Sequence, residues 1–187
     1  MKTKRIVAGT LILFSMLWSL QSVAQQKTFS KKQVTKQIDL SDFTSIEVYG
    51  LAQVYLQKGL SPKADLEVSG MPMSKVSVVV ENEILKISTP GNYNGESVKI
   101  YITYQEVNKL SVSDATEIYS KGPIETSKLE INSLDASKAV LEIDVVHVKI
   151  QMKDNANLIL TGTTKEQSIL SKSTSGTFDN SGLEVKK

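Results

Sequence analysis

The sequence predicts an all-β protein wound as a parallel solenoid with coils of about 20 residues, and three observations point to it. Apolar and polar residues alternate through short segments from Ile38 onward, the period of a strand with one face buried. Beyond residue 24 no segment carries a convincing apolar stripe at helical spacing, and only Thr163 to Gln167 suggests a single helical turn. Small residues recur at a near-constant interval: Ala115, Ala136, Ala156 and Gly176 lie 21, 20 and 20 residues apart. A β-sandwich is the alternative, since it too has a strand every 8–12 residues or so. It gives no reason for small residues to return at a fixed interval of this length.

Taken in chain order, residues 1–24 read as a signal peptide. Lys2, Lys4 and Arg5 make a positive start, Ile6 to Leu20 is uncharged and mostly apolar, and Ser22-Val23-Ala24 offers small residues to a signal peptidase. The apolar run is interrupted by Gly9, Thr10 and Ser15 and falls short of the roughly 20 apolar residues that a spanning helix needs. Cleavage leaves no membrane span. The chain has no cysteine, so no lipid can be attached through one. The expected location is therefore the periplasm, the cell surface or the medium, and not as a lipoprotein. Residues 25–37 are polar and lysine-rich and read as a flexible leader; 38–187 reads as one domain.

Within that domain Ile46, Val48, Gly50, Ala52, Val54 and Leu56 alternate with Glu47, Tyr49, Gln53, Tyr55 and Gln57. The pattern recurs at Leu66-Glu67-Val68, Val76-Ser77-Val78, Val98 to Ile102, Leu129-Glu130-Ile131, Val148 to Met152 and Ala156 to Leu160. Turn residues separate these runs at Lys58-Gly59, Ser61-Pro62, Pro90-Gly91-Asn92, Asn94-Gly95, Lys121-Gly122-Pro123 and Thr161-Gly162. The small residues sit in Asp114-Ala115-Thr116, Asp135-Ala136-Ser137, Asn155-Ala156-Asn157 and Ser175-Gly176-Thr177. In a solenoid they are expected to form a column at an inside corner with no room for larger side chains. Gly50, Gly70 and Gly91, spaced 20 and 21 apart, extend the interval into the first half.

At this point a resemblance can be named. Phe43 and the run Ser45 to Leu56, then Val80 to Ile87 and Val98 to Ile102, resemble the landmarks of the bacterial auto-transporter adhesin, head GIN domain family, and the small-residue steps resemble its second half. The likeness covers roughly Ile38 to Val185. It implies a single-stranded right-handed parallel β-helix, an exported protein and an adhesin role whose ligand is unknown, and it brings no catalytic residues. This chain stops at Leu183 to Lys187, a few strands sooner than the family pattern implies, which leaves the last coil without an evident cap.

Charge and composition exclude several classes. The full chain has 22 Lys and Arg against 20 Asp and Glu. Lys2, Lys4 and Arg5 leave with the signal peptide, so the remainder is close to neutral and the isoelectric point of 8.6 belongs to the full chain. A nucleic-acid binder would carry a basic excess. Without cysteine there are no disulfides, thiolate metal sites or cysteine nucleophiles. The single histidine, His147, lies between Val146 and Val148; if those point inward, it points out with Lys149 and Gln151 as a surface side chain. Neither a metal site nor a cofactor is expected.

Two groups remain as candidates for chemistry. Asp114, Asp135 and Asn155 would stack on neighbouring coils about 5 Å apart, where carboxylates can hold calcium or serve as an acid/base pair on a polysaccharide. The competing reading is that Asp and Asn sit at corners because they bond the local backbone and tolerate left-handed conformations. Tyr49, Tyr55 and Tyr101 alternate outward from buried neighbours and could present aromatic surface to a glycan or a cell-envelope protein. Tyrosine is also a good strand former on any half-exposed face. The function expected is a non-catalytic, adhesin-like binding module of the envelope, with self-association through an open β-edge as a further partner mode. The alternative is a small carbohydrate-active β-helix enzyme using the Asp114/Asp135 column.

Mass spectrometry of the protein isolated from the envelope is expected to find Gln25 at its N-terminus. Folded protein that retains Met1 to Ala24 would revive the membrane-anchor reading.

Overall fold

The computed structural model describes residues 33–90, 95–171 and 175–186. The segment expected to be a signal peptide lies outside the described residues, as does the Gly91 to Asn94 turn. Thirteen strands are found among the described residues: β1 (Gln33–Asp39), β2 (Ser45–Tyr49), β3 (Gln53–Lys58), β4 (Lys63–Ser69), β5 (Ser77–Glu81), β6 (Ile84–Ser88), β7 (Ser97–Tyr104), β8 (Lys109–Val112), β9 (Glu117–Ser120), β10 (Ile124–Ser133), β11 (Lys138–Met152), β12 (Asn157–Ser171) and β13 (Phe178–Val185). The only helical element among them is a single 3-10 turn, Met73–Lys75. The helical turn expected at Thr163 to Gln167 does not form. Those residues continue β12, where the ladder to β11 satisfies their backbone groups.

The alternation in the sequence is the alternation of burial. Ile46, Val48, Val54, Leu56, Ile100, Ile102, Leu129, Ile131, Val148, Ile150, Leu158 and Leu160 are all buried in one core. All thirteen strands are hydrogen-bonded into a single sheet, where a sandwich would give two. Its second half is a parallel ladder: β8 and β9 pair with β10 and β11 at an offset of 21 residues, as in Lys109↔Glu130 and Glu117↔Lys138. β10 pairs with β11, and β11 with β12, at an offset of 19, as in Ile131↔Ile150 and Lys138↔Asn157. The 20-residue interval in the sequence is thus the mean of two real offsets.

The first half departs from an all-parallel solenoid. β4 pairs antiparallel with both β1 and β7, and β5 pairs antiparallel with β6, so the sheet is mixed. β2 lies between β6 and β8, and β3 between β7 and β9; spatial order is not chain order here. Gly70 follows the antiparallel strand β4, so its distance of 20 residues from Gly50 is not a coil repeat. The last residues of the expected leader are a strand. Gln33 to Gln37, polar in sequence, form most of β1 because β4 offers a free edge, and backbone pairing needs no apolar side chains.

The corners correct the small-residue column. Asp114, Asp135 and Asp154 have φ of 58, 57 and 56°, each the first central residue of a turn closed by Thr116, Ser137 or Ala156 donating its N–H to the carbonyl of Ser113, Leu134 or Lys153. A short polar side chain tolerates that left-handed backbone. Ala115, Ala136 and Asn155 follow at the exposed turn tip, and Thr116, Ser137 and Ala156 are the buried members. Aligning alanine with alanine mixed two positions, because a small residue suits an exposed tip as well as a tight interior. The buried hydroxyls are satisfied: Thr116 Oγ1 donates to the Gly50 carbonyl at 3.1 Å, and Ser133 and Ser137 share a hydrogen bond of 2.9 Å. Gly50 occupies the corner of the next pass with φ of 107°, and a Cβ there would lie 2.0 Å from the Thr89 carbonyl oxygen.

Ala156→Leu is expected to destabilise the fold by about 1–3 kcal/mol by overpacking the interior. Ala136→Leu, at an exposed tip, is expected to stay within about 0.5 kcal/mol of the parent. Denaturant midpoints check both; equal losses would reject the corner alignment.

Candidate functional site

Three tyrosines meet on the outer face of the sheet. Tyr101 on β7 is in register with Tyr55 on β3, and Tyr55 with Tyr119 on β9. The ring centroids of Tyr55 lie 5.1 Å from Tyr101 and 5.4 Å from Tyr119, with interplanar angles of 17 and 18°. The spacing follows from the sheet, whose strands are about 4.8 Å apart, so outward side chains in register must stack or diverge. The row continues through Val140 on β11 to Ile159 on β12. Both are half-buried, as the three tyrosines are. Five neighbouring strands therefore carry one aromatic and aliphatic strip.

Charged groups frame the strip. The Lys121 ammonium lies 4.8 Å from the Tyr101 ring centre and 5.6 Å from that of Tyr55, and Lys138 lies 5.8 Å from that of Tyr119. Such contacts hold a cation over the electron-rich ring. The Tyr119 hydroxyl donates to Glu117 Oε2 at 2.8 Å, and the same oxygen accepts from Gln53 Nε2 at 3.1 Å. Burial among its neighbours, and then the Glu117 carboxylate, push the Tyr119 phenol up to about 12. Lys63 and Asp65 form an ion pair of 2.9 Å at one end, beside a hollow of about 200 Å³ next to Tyr55 and Tyr101. In the row itself Asp65 stands opposite Tyr101 and closes the strip.

Of the tyrosines singled out from sequence, the structure brings Tyr55 and Tyr101 together and leaves Tyr49 apart. Tyr49 ends β2, pairs with Ser88 on β6, and is 48% exposed. Sequence reasoning missed Tyr119, Val140 and Ile159. Their signal was the coil interval, since Tyr119, Val140 and Ile159 are 21 and 19 residues apart, the same offsets that relate the strands. The strand holding Tyr119 has only four residues, too few for alternation to stand out.

The aspartate column is a corner device. Its third member is Asp154 rather than Asn155, as the turns show. Asp135 Oδ2 accepts the backbone N–H of Asp114 at 3.1 Å, which ties one turn to the next. Among the described residues no group of three or more His, Cys, Asp or Glu is placed to hold a metal ion. His147 shares a hydrogen bond of 2.9 Å between Nδ1 and Glu166 Oε2. Val148 is buried as expected, but Val146 is 37% exposed. The alternation of burial breaks there, and register pairing passes from Thr126↔Val145 to Lys128↔His147 without Val146.

Comparison with known proteins gives a consistent picture. The family model described as "Putative auto-transporter adhesin, head GIN domain" matches residues 42–187. Among solved structures, a "putative adhesin" from Bacteroides fragilis superposes with a TM-score of 0.72 at 21% identity, covering 83% of this chain and 74% of that one. A "putative adhesin" from Parabacteroides merdae gives 0.66 at 17% identity, with 74% of this chain aligned to 60% of that longer one. A "putative lipid binding protein" from Parabacteroides distasonis gives 0.56 at 15% identity, covering 74% and 70%. At these identities the likeness is one of fold. No curated protein sequence matched the chain.

Because Tyr55 is stacked on both sides, Tyr55→Ala is expected to destabilise the protein by about 1–3 kcal/mol, the sum of two aromatic pairs. Tyr49→Ala, without a stacked ring, is expected to lose less than about 1 kcal/mol. Thermal melting of the two variants side by side checks the difference, and equal shifts would argue against the ring stack.

Proposed function

The chain belongs to the auto-transporter adhesin, head GIN domain family, and from that membership we propose that it is a non-catalytic binding module of the bacterial cell envelope. The observation that carries the reading is the strip Tyr101–Tyr55–Tyr119–Val140–Ile159 on the outer face. A half-exposed apolar row rich in tyrosine and edged by charged side chains has the make-up of a protein interface, with an apolar centre and a polar rim. The ring geometry favours a partner protein over a sugar chain as occupant. Sugar rings stack on aromatic faces, and both faces of Tyr55 are covered by its neighbours. What the strip offers outward is ring edges, phenolic hydroxyls and aliphatic groups, which suit side chains of a facing protein.

In the same reading, residues 1–24 are removed on export, no lipid is attached, and the protein works in the periplasm or at the cell surface. The passes of the chain in its second half are coils of a right-handed parallel β-helix whose flat side carries the strip. The enzyme alternative built on Asp114 and Asp135 is disfavoured by the use of the Asp135 carboxylate as a backbone acceptor, which leaves it poorly placed to exchange protons with a substrate.

The chain beginning at Gln25 is expected to bind isolated bacterial envelopes, and Tyr119→Asp or Val140→Asp is expected to weaken that binding about tenfold or more. Protease treatment of the envelopes should abolish binding and periodate oxidation should spare it. The opposite pattern would make the partner a glycan, and unaltered binding by both variants would remove the strip from function.

A further inference from the structure

A second surface feature lies where the register of β10, β11 and β12 skips Val146. Val146 has no register partner on either neighbouring strand, and a groove of about 580 Å³ opens across this part of the sheet. Its lining is polar. Apart from Leu129 and Val148, each 1% exposed, every lining residue carries a hydroxyl, an amide, an imidazole or a charge. A hydroxyl-rich ligand would find hydrogen-bonding groups repeated from strand to strand.

The charges in the groove are mostly committed to one another. Glu130 holds both Lys109 and Lys149, at 3.5 and 3.1 Å. Hydrogen bonds from Asn132 and Lys149 keep its carboxyl below the usual carboxylate range. His147 is turned to Glu166. Lys128, the register neighbour of His147, lines the same groove, and its ammonium has no ion pair or hydrogen bond among the described residues. An ammonium without a partner, beside a glutamate that already holds two lysines and a histidine turned to Glu166, is a ready point of attachment for one anionic group.

We infer that this groove is a second binding site, distinct from the tyrosine strip, for a saccharide segment bearing an isolated carboxylate, with Lys128 as its charge anchor. The other charges set the limits of that ligand. Glu106, Glu130 and Glu166 all line the groove and repel a polymer that is anionic at every unit. The only arginine of the chain is Arg5, so no guanidinium fork is available for the bidentate capture of phosphate or sulfate. Lysine acts as a point charge and is sufficient for one carboxylate.

The test is a titration of the isotope-labelled chain, from Gln25 onward, followed by nuclear magnetic resonance. The probes are sialyllactose, which carries one carboxylate, neutral lactose, and a heparin oligosaccharide. Sialyllactose is expected to shift the resonances of Lys128, His147 and Ser168, and lactose to bind at least about tenfold more weakly. Lys128→Gln should reduce sialyllactose affinity about tenfold or more with an unchanged melting temperature, and Lys128→Arg should retain most of it. The inference is overturned if sialyllactose produces no shifts, or shifts confined to Tyr55, Tyr101 and Tyr119. It is equally overturned if lactose binds as well, if heparin binds more tightly, or if Lys128→Gln has no effect. None of these outcomes depends on whether a protein occupies the tyrosine strip.

Discussion

The backbone ladder between one pass of the chain and the next imposes a constraint that runs through the whole molecule. From β8 to β12 almost every paired residue has its neighbour on the next pass 19 or 21 positions away, so whatever one strand places outward is set beside its counterpart about 4.8 Å off. Burial of alternate residues follows, since a one-residue slip would expose a whole row of Ile, Leu and Val. The corners follow as well. Each turn must return the chain without breaking register, and a left-handed Asp with a buried Thr, Ser or Ala two positions on does so three times in succession.

The same ladder turns local sequence into extended surface features. A single outward tyrosine is unremarkable on a strand, but in register with two others it becomes a stack. A lone glutamate on β10 becomes the bridge between lysines on β8 and β11. β11 contributes to both surfaces, placing Val140 in the strip and, beyond Val146, His147 and Lys149 along the groove. One strand thus joins two surface features of different make-up: a half-buried row of tyrosine, valine and isoleucine, and a groove lined mostly by polar and charged residues.

What could be read from the sequence divides along the same physical line. Properties set by one residue and its near neighbours were legible: the buried positions, the turn residues, and the outward orientation of Tyr55 and Tyr101. Properties set by register were only partly so. The 20-residue interval was visible, but an alanine at an exposed tip and one in a tight interior look alike in a list of residues, so Ala136 and Ala156 were given the same position when they differ by one. The antiparallel pairing of β4 and β5 left no trace, because alternation has the same period in either direction. Tyr119 was missed because its strand has four residues and its significance lies in Tyr55, 64 positions earlier.

The placement of β2 and β3 between later strands has a consequence for how the molecule assembles. Ser45–Tyr49 needs Ile84–Ser88 on one side and Lys109–Val112 on the other, so an early strand of the chain is among those whose pairing completes late. The N-terminal half cannot wind up pass by pass in chain order; it has to close as a unit, with long intervening segments brought together before either ladder of β2 forms. From β10 onward each new pass finds its predecessor already in place and can add by short-range pairing. One chain thus joins a slow, non-local nucleus to a region that grows in order from it, and the exposure to misassembly is greatest while residues 45 to 112 are still waiting for one another.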